Sequence, residues 1–168
     1  MDEKFSHLDN KGNARIVDIS KKKKSSRYAR AKATVCLSKK LLTMIKNDKL
    51  KKGNVINVAR IAGVMGAKQT SSLIPLCHNI NLDSSEISFR FLEEELEIVS
   101  TVKSEEKTGV EMEAIMGVNA ALITIYDLSK IVNPNLKIDN IRLLIKEGGK
   151  SGLWKNPEGI PEFLKDLF

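Results

Sequence analysis

A chain of 168 residues corresponds to about one domain, and with 42% hydrophobic and 29% charged side chains against only 10 Gly and 4 Pro it can bury a core and is neither collagen-like, low-complexity nor fully disordered. No apolar run nears the roughly 20 residues that cross a membrane, and Met1-Asp2-Glu3-Lys4 opens no apolar stretch of the signal-peptide kind, so the expectation is a cytoplasmic protein with no membrane partner. The 28 basic side chains outnumber the 21 acidic ones for a net charge of +7, which favours anionic partners: nucleotides, phosphates or nucleic acid.

The first 27 residues hold two short apolar knots, at 5–8 and 16–19, and then the run Lys21, Lys22, Lys23, Lys24. Charges packed so densely repel one another and stay solvated, so 1–27 reads as a flexible N-terminal arm. Next, Tyr28, Arg30, Lys32, Thr34 and Cys36 alternate with Ala29, Ala31, Ala33, Val35 and Leu37, the period of a half-buried strand. Ser38 caps a helix through Leu41, Leu42, Met44 and Ile45, which the basic turn Lys51-Lys52-Gly53-Asn54 closes. A second helix is expected from Val55 to about Ser72, with Gly63 and Gly66 leaving room for a close neighbour and Pro75 setting its limit. Ile80–Phe91 and Leu96–Val102 read as an antiparallel strand pair around the acidic turn Glu93-Glu94-Glu95. Val110 to Val132 reads as a mostly buried helix that bears Glu111, Glu113, Asp127 and Lys130 and ends before Pro134. Leu136–Ile145 gives a last strand, and Gly148, Gly149, Gly152, Pro157 and Pro161 signal an irregular tail, 155–168.

In order this is an arm, then β, α in two pieces, β, β, α, β. The expected class is α+β: a ferredoxin-like βαββαβ domain over 28–154, an antiparallel sheet with helices on one face.

Polar groups that interrupt apolar segments carry the information, because a buried charge is costly unless something pairs with it. Asp127 and Lys130 fall three apart, hence on one helix face. A structural ion pair is the plainer reading of that spacing; an acid/base couple with mutually shifted pKa values is the sharper one. Glu111 and Glu113, in the first helical turn, suit the helix dipole equally well as a ligand. Glu113 and Asp127 stand 14 positions apart, about 21 Å along one helix, so one small substrate cannot touch both within a single subunit. Either the ligand is long, or the site lies where two copies of the chain meet.

Cys36 and Cys77, 41 positions apart, make neither a disulfide framework nor a zinc knuckle. His78 follows Ile74-Pro75-Leu76-Cys77 at the mouth of the second strand. Neighbours on a strand point to opposite faces, so Cys77 and His78 should not form a nucleophilic dyad, and His78 alone is a candidate proton carrier. With His7 the only other histidine and no ligand spacing, no metal site is expected. Gly148-Gly149-Lys150-Ser151 is no P-loop, since position 144 is Leu where that motif needs Gly, and Pro157 and Gly159 follow where it needs a helix. A glycine turn between Lys146 and Lys150 can still wrap an anion, and Lys52, Lys68 and Arg15 could join it.

Taken jointly, Ile74-Pro75-Leu76-Cys77-His78, Lys107-Thr108-Gly109-Val110-Glu111-Met112-Glu113-Ala114, Ile125-Tyr126-Asp127 with Lys130, and Gly148-Gly149-Lys150-Ser151-Gly152 resemble the molybdenum-cofactor biosynthesis protein C family, the cyclic pyranopterin monophosphate synthases. The likeness runs in register from His7 to about Trp154. It implies a phosphorus-oxygen lyase that converts (8S)-3′,8-cyclo-7,8-dihydroguanosine 5′-triphosphate to cyclic pyranopterin monophosphate and releases pyrophosphate. It also implies a homo-oligomer, a hexamer built as a trimer of dimers, with sites at subunit interfaces. By the same resemblance Asp127 is the acid/base, with Lys130 and Lys52 as its catalytic companions. Leu76, Cys77, His78, Met112, Glu113 and Glu111 would line the substrate pocket, and Lys68, Lys146, Lys150 and Arg15 would hold phosphates or the reacting ring. No cofactor is implied, and a divalent cation riding on the triphosphate is compatible with that account. Gln69, Asn79 and Ser129 depart from the family pattern, where a basic residue, a proline and a cysteine are usual; none removes a proposed catalytic group.

Two other readings compete. A basic RNA-binding module of the split-βαβ kind would need stacking aromatics on its sheet, and the strands offer only Phe89, Phe91 and Tyr28. A regulatory oligomerisation domain would leave Asp127, Lys130 and Glu113 as buried ion pairs without chemistry.

Overall fold

The structure, a computed structural model, describes residues 7–9, 11–150 and 152–160. The start of the expected arm with Phe5, Ser151 of the glycine turn, and 161–168 of the expected tail lie outside the described residues.

The elements run β1 (Ser25–Cys36), α1 (Lys39–Lys46), α2 (Val55–Lys68), α3 (Thr70–Leu73), β2 (Ser84–Phe91), β3 (Glu95–Glu106), α4 (Glu111–Ser129), β4 (Lys137–Glu147) and β5 (Trp154–Lys155). The strands form one sheet in the order β2-β3-β1-β4-β5, every neighbour antiparallel. The crossovers from β1 to β2 and from β3 to β4 each skip one strand, which is the split-βαβ arrangement of the ferredoxin-like fold. The expected architecture is therefore present, with the short β5 added at the β4 edge.

Alternation in β1 decides the layering. Ala29, Ala31, Ala33 and Val35 are fully buried against the helices, and their partners across the ladder, Val102, Ser100, Ile98 and Leu96, are buried with them. The small alanines let α4 lie close to the sheet, so Val118, Leu122 and Ile125 fill the core between them. The opposite face of β1 is buried as well, not half-exposed as its alternation suggests: β1 is central, and Arg30, Lys32 and Thr34 are covered. Lys32 meets Glu97 at 2.8 Å there, and Arg30 Nε donates to Thr101 Oγ1. Ile160 packs on Val99 and Leu144 of the same face.

Helix α1 starts where expected, with Ser38 Oγ accepting from the Leu41 amide, and Asn54 Oδ1 caps α2 by accepting from Asn57 N–H. The single helix expected over 55–72 is broken at Gln69 into α2 and α3. Glycines set the approach of α2 to α4. A methyl at Gly66 would stand 2.5 Å from Ala120 Cβ and 2.9 Å from Met116 O, and one at Gly63 would stand 2.7 Å from Ile87 Cγ1.

The strand expected from Ile80 begins only at Ser84. Asn81 O is taken by Ser104 Oγ at 2.5 Å, and ladder-like pairing starts with Asp83 N–H on Lys103 O. Leu76 to Leu82 is therefore an irregular connection, and the strand geometry invoked for Cys77 and His78 does not apply to them. The turn of the β2–β3 hairpin is 92–94, since Glu95 already pairs with Cys36. Before Ser25 the chain makes no regular strand or helix among the described residues, only an isolated bridge between Leu8 and Ala14.

Candidate active site

Two concavities and one surface cluster gather the charged residues. The first concavity, of about 590 Å³, lies at the N-terminal end of α4 and is lined by Leu76, Cys77, His78, Glu111, Met112 and Glu113, with Val17 and Ile19 of the arm closing it. Three separate stretches of sequence thus converge on one pocket. Cys77 and His78 both line it, because the irregular connection frees them from strand alternation.

Glu113 is the buried acid of this pocket, 5% exposed. Burial, with Glu111 as a like-charged neighbour, raises its carboxyl from 4.5 to about 7. Burial also pushes the Cys77 thiol up, with the Glu113 charge adding to it, so Cys77 is no activated nucleophile. His78 Nε2 lies 2.7 Å from Val17 O. A carbonyl only accepts, so Nε2 carries the hydrogen, and in the neutral ring Nδ1 is left as a base. That bond, together with Lys107 Nζ donating to Ser20 O at 3.0 Å, ties the arm across the pocket.

The second concavity, about 740 Å³, adjoins the first and shares Lys22, Thr108, Gly109 and Glu111 with it. Its floor is the turn Gly148-Gly149-Lys150 after β4, and Lys146 and Arg27 stand beside it. Gly148 and Gly149 have φ of +106° and +70°, and a side chain on either would collide with Ser26 O or with the Arg27 guanidinium. Lys146 Nζ bonds Glu111 Oε1 at 2.9 Å across the shared wall. Lys146 and Lys150 therefore sit where the sequence places an anion-wrapping turn.

The cluster around Asp127 is at the other end of α4. Lys130 Nζ donates to Asp127 Oδ1 at 2.7 Å, and Lys52 Nζ approaches Asp127 Oδ2 at 3.9 Å and its backbone oxygen at 3.4 Å. The hydrogen bond from Lys130 and the charge of Lys52 hold the Asp127 carboxyl below the usual carboxylate range and raise Lys130 in turn. All three side chains are about half exposed, which corrects the picture of Asp127 and Lys130 as buried ion pairs. Ile123, Asp127, Lys130 and Ile131 recur at helical spacing and face outward together.

Within one copy of the chain the structure does not join the two ends of α4. Because α2 returns along α4, Lys52 meets Asp127 at one end while Lys68, exposed at the end of α2, falls towards the other. Lys68 and Arg15 line neither concavity. Sequence reasoning missed Arg27 and Lys107, and it left Lys21–Lys24 in a solvated arm although all four line the second concavity. The density of the lysine run was the available signal; its position against a turn more than 120 positions later was not readable. Among the described residues no group of three or more His, Cys, Asp or Glu side chains is placed to hold a metal ion, and no helix is long and apolar enough to cross a membrane.

The family model described as the MoaC family matches residues 16–149. The chain is 45% identical over 148 residues to the cyclic pyranopterin monophosphate synthase of Peptoclostridium acidaminophilum, covering 88% of this chain and 94% of that protein. It is 48% identical over 154 residues to the protein of the same name from Clostridium perfringens (strain SM101 / Type A), covering 90% and 98%. With that of Syntrophomonas wolfei it shares 49% over 150 residues, 88% and 96%.

Proposed function

The chain belongs to the MoaC family, and from that membership we propose that its pocket converts the cyclised dihydro-GTP derivative to cyclic pyranopterin monophosphate in molybdenum cofactor biosynthesis. The observation that carries the reading is the meeting of Leu76-Cys77-His78 with Glu111-Met112-Glu113 in one pocket that opens beside a cation-lined cavity. The balance of the step makes the enzyme a phosphorus-oxygen lyase. A hydroxyl of the substrate attacks its own α-phosphorus, the bond from that phosphorus to the β-phosphate bridging oxygen breaks, and pyrophosphate leaves with the electron pair.

The attacking hydroxyl must lose a proton, and ring opening and reclosure move others. Asp127, kept ionised by Lys130 and Lys52, is free to accept, as a base weaker than an ordinary carboxylate, with the Lys130 ammonium beside it as the donor. Glu113, poised near neutrality, is suited to donate or accept, and His78 offers Nδ1 as a base. Lys146 and Lys150, with Lys68 and Arg15 from a second copy, would balance charge developing on the phosphates. A divalent ion entering on the triphosphate would belong to the substrate.

The two ends of α4 are joined in this account by a second copy of the chain, in a hexamer of three dimers in the cytoplasm. Exposed Val58, Ile61 and Met65 on α2, Ile123 on α4 and Ile131 just beyond its end offer an apolar surface for such contact. Incubation of the purified chain with the cyclised dihydro-GTP derivative should release one pyrophosphate per cyclic phosphate formed. Absence of both products overturns the reading.

A further inference from the structure

Lys107 has no task in the chemistry above, yet it fastens the arm to the sheet. Glu106, at the end of β3, pairs with Lys24 at 3.0 Å, and Lys107, just after it, donates from Nζ to Ser20 O at 3.0 Å. Asp18 lies against the second of these ties. Its Oδ1 accepts from the Ser20 amide at 2.8 Å, and that bond, with the Lys107 charge adding to it, keeps its carboxyl below the ordinary value. Lys22 N–H on Ile19 O turns the chain between the two ties.

The stretch so anchored faces the reaction pocket on its other side. Asp18 and Ser20 are exposed, whereas Val17 and Ile19 turn inward and line the first concavity. Val17 O takes the hydrogen of His78 Nε2 at 2.7 Å, which leaves the lone pair of the neutral ring on Nδ1. Little else holds the arm in place. It makes no regular strand or helix before Ser25 among the described residues, and Ile16 is 52% exposed, so its position depends on a few polar ties. A charge-assisted bond is the strongest kind open to such a segment, and Lys107 supplies one three positions past the Val17 carbonyl.

We infer that Lys107 is a positioning residue for the reaction: by holding Ser20 O it keeps the arm over the pocket, so that Val17 O fixes His78 with its hydrogen on Nε2 and Nδ1 ready as the base. Lys107 thus acts through the arm and His78 and touches no reacting atom. The inference rests on the proposed reaction for the use of Nδ1, but not for the coupling of Lys107 to His78.

The chain has two histidines, His7 and His78, so the imidazole proton signals of the isotopically labelled full chain are assigned with His7→Gln. A ring hydrogen held by a carbonyl is shielded from exchange with water and is seen; a released one exchanges and its signal is lost. The Nε2 proton of His78 should be present in the wild type near neutral pH, lost in Lys107→Met and regained in Lys107→Arg. Lys107→Met should also lower kcat for the cyclised dihydro-GTP derivative at least about fivefold while KM moves less than about threefold, the split expected of a disturbed base, and Lys107→Arg should restore it. A His78 signal absent from the wild type or indifferent to Lys107 overturns the inference, as does a raised KM with kcat unchanged, which makes Lys107 a direct substrate contact. A signal that depends on Lys107 in a chain that turns nothing over sinks the reaction and keeps the coupling; wild-type turnover by Lys107→Met sinks the positioning role and keeps the reaction.

Discussion

Glu113 and Asp127 hang from the same helix and are tuned in opposite directions: burial lifts the first to about 7 while Lys130 pulls the second down. A carboxyl whose folded pKa exceeds its unfolded one binds its proton more tightly in the native state. Its contribution is therefore most favourable below pH 4.5 and is lost as pH rises through about 7. We expect Glu113→Gln to be more stable than wild type at pH 8, by up to roughly 3 kcal/mol, and equal to it near pH 4. Urea midpoints across pH 4 to 8 check this; parallel curves for the two proteins would contradict it.

Asp127 makes its bonds to lysines at the surface, so its loss should spare the fold. Asp127→Asn is expected to lower kcat at least about a hundredfold, the scale of a positioned acid/base, with the sedimentation profile unchanged. Conversion of the cyclised nucleotide at the wild-type rate would remove Asp127 from the mechanism.

If each pocket draws Glu113 from one copy and Asp127 from another, two dead variants should rescue each other. A twofold contact creates two pockets, and a mixed dimer of Asp127→Asn and Glu113→Gln carries one intact pocket and one doubly altered. Subunits mixed one to one under exchange conditions should recover about a quarter of wild-type activity. Recovery no greater than the sum of the separate variants places both groups elsewhere.

The contact of α2 with α4 is tightest at Gly66, where an added methyl meets Ala120 Cβ and the Met116 carbonyl. Backbone cannot yield as a side-chain tip does. Gly66→Ala should cost about 1–3 kcal/mol, read as a lowered melting temperature, despite its better helix propensity. A variant as stable as the parent would mean that the helices separate freely.

Lys32 and Glu97 are paired at 2.8 Å with side chains under a tenth exposed. Lys32→Met leaves the Glu97 charge buried alone and should destabilise by about 3–5 kcal/mol. Adding Glu97→Leu should return most of that. If the double variant unfolds as readily as the single one in guanidinium, the pair is not the cause.

Much of the frame was legible because local pattern and tertiary demand agree. The alternation 28–37, the Ser38 cap and the apolar stretch of α4 each name their element, and the strand order follows from their sequence. What failed did so where distant groups decide. Ile80 and Leu82 look like strand, but Ser104 takes the carbonyl between them. Arg30 and Lys32 look solvated, but β3 and β4 flank them on both sides. Asp127 looks buried by its apolar neighbours, yet it shares the outward stripe of Ile123 and Ile131. For the site, Leu76, Cys77, His78, Glu111, Met112 and Glu113 of the first pocket were named through the family resemblance, whereas the arm residues that line it, Val17 and Ile19, and the placing of Lys21–Lys24 against a turn at the far end of the chain were not readable.

Ahead of the Lys24–Glu106 pair, the arm is latched through main-chain oxygens, those of Val17 and Ser20. Such a latch does not inspect which side chains it holds. Substitutions at 17 or 20 that keep the backbone extended leave His78 and Lys107 their acceptors, so the latch itself places no demand on those side chains. Spacing is not: one residue inserted between Val17 and Ser25 would set the latch and the start of the sheet out of step, and the lysines would miss their wall.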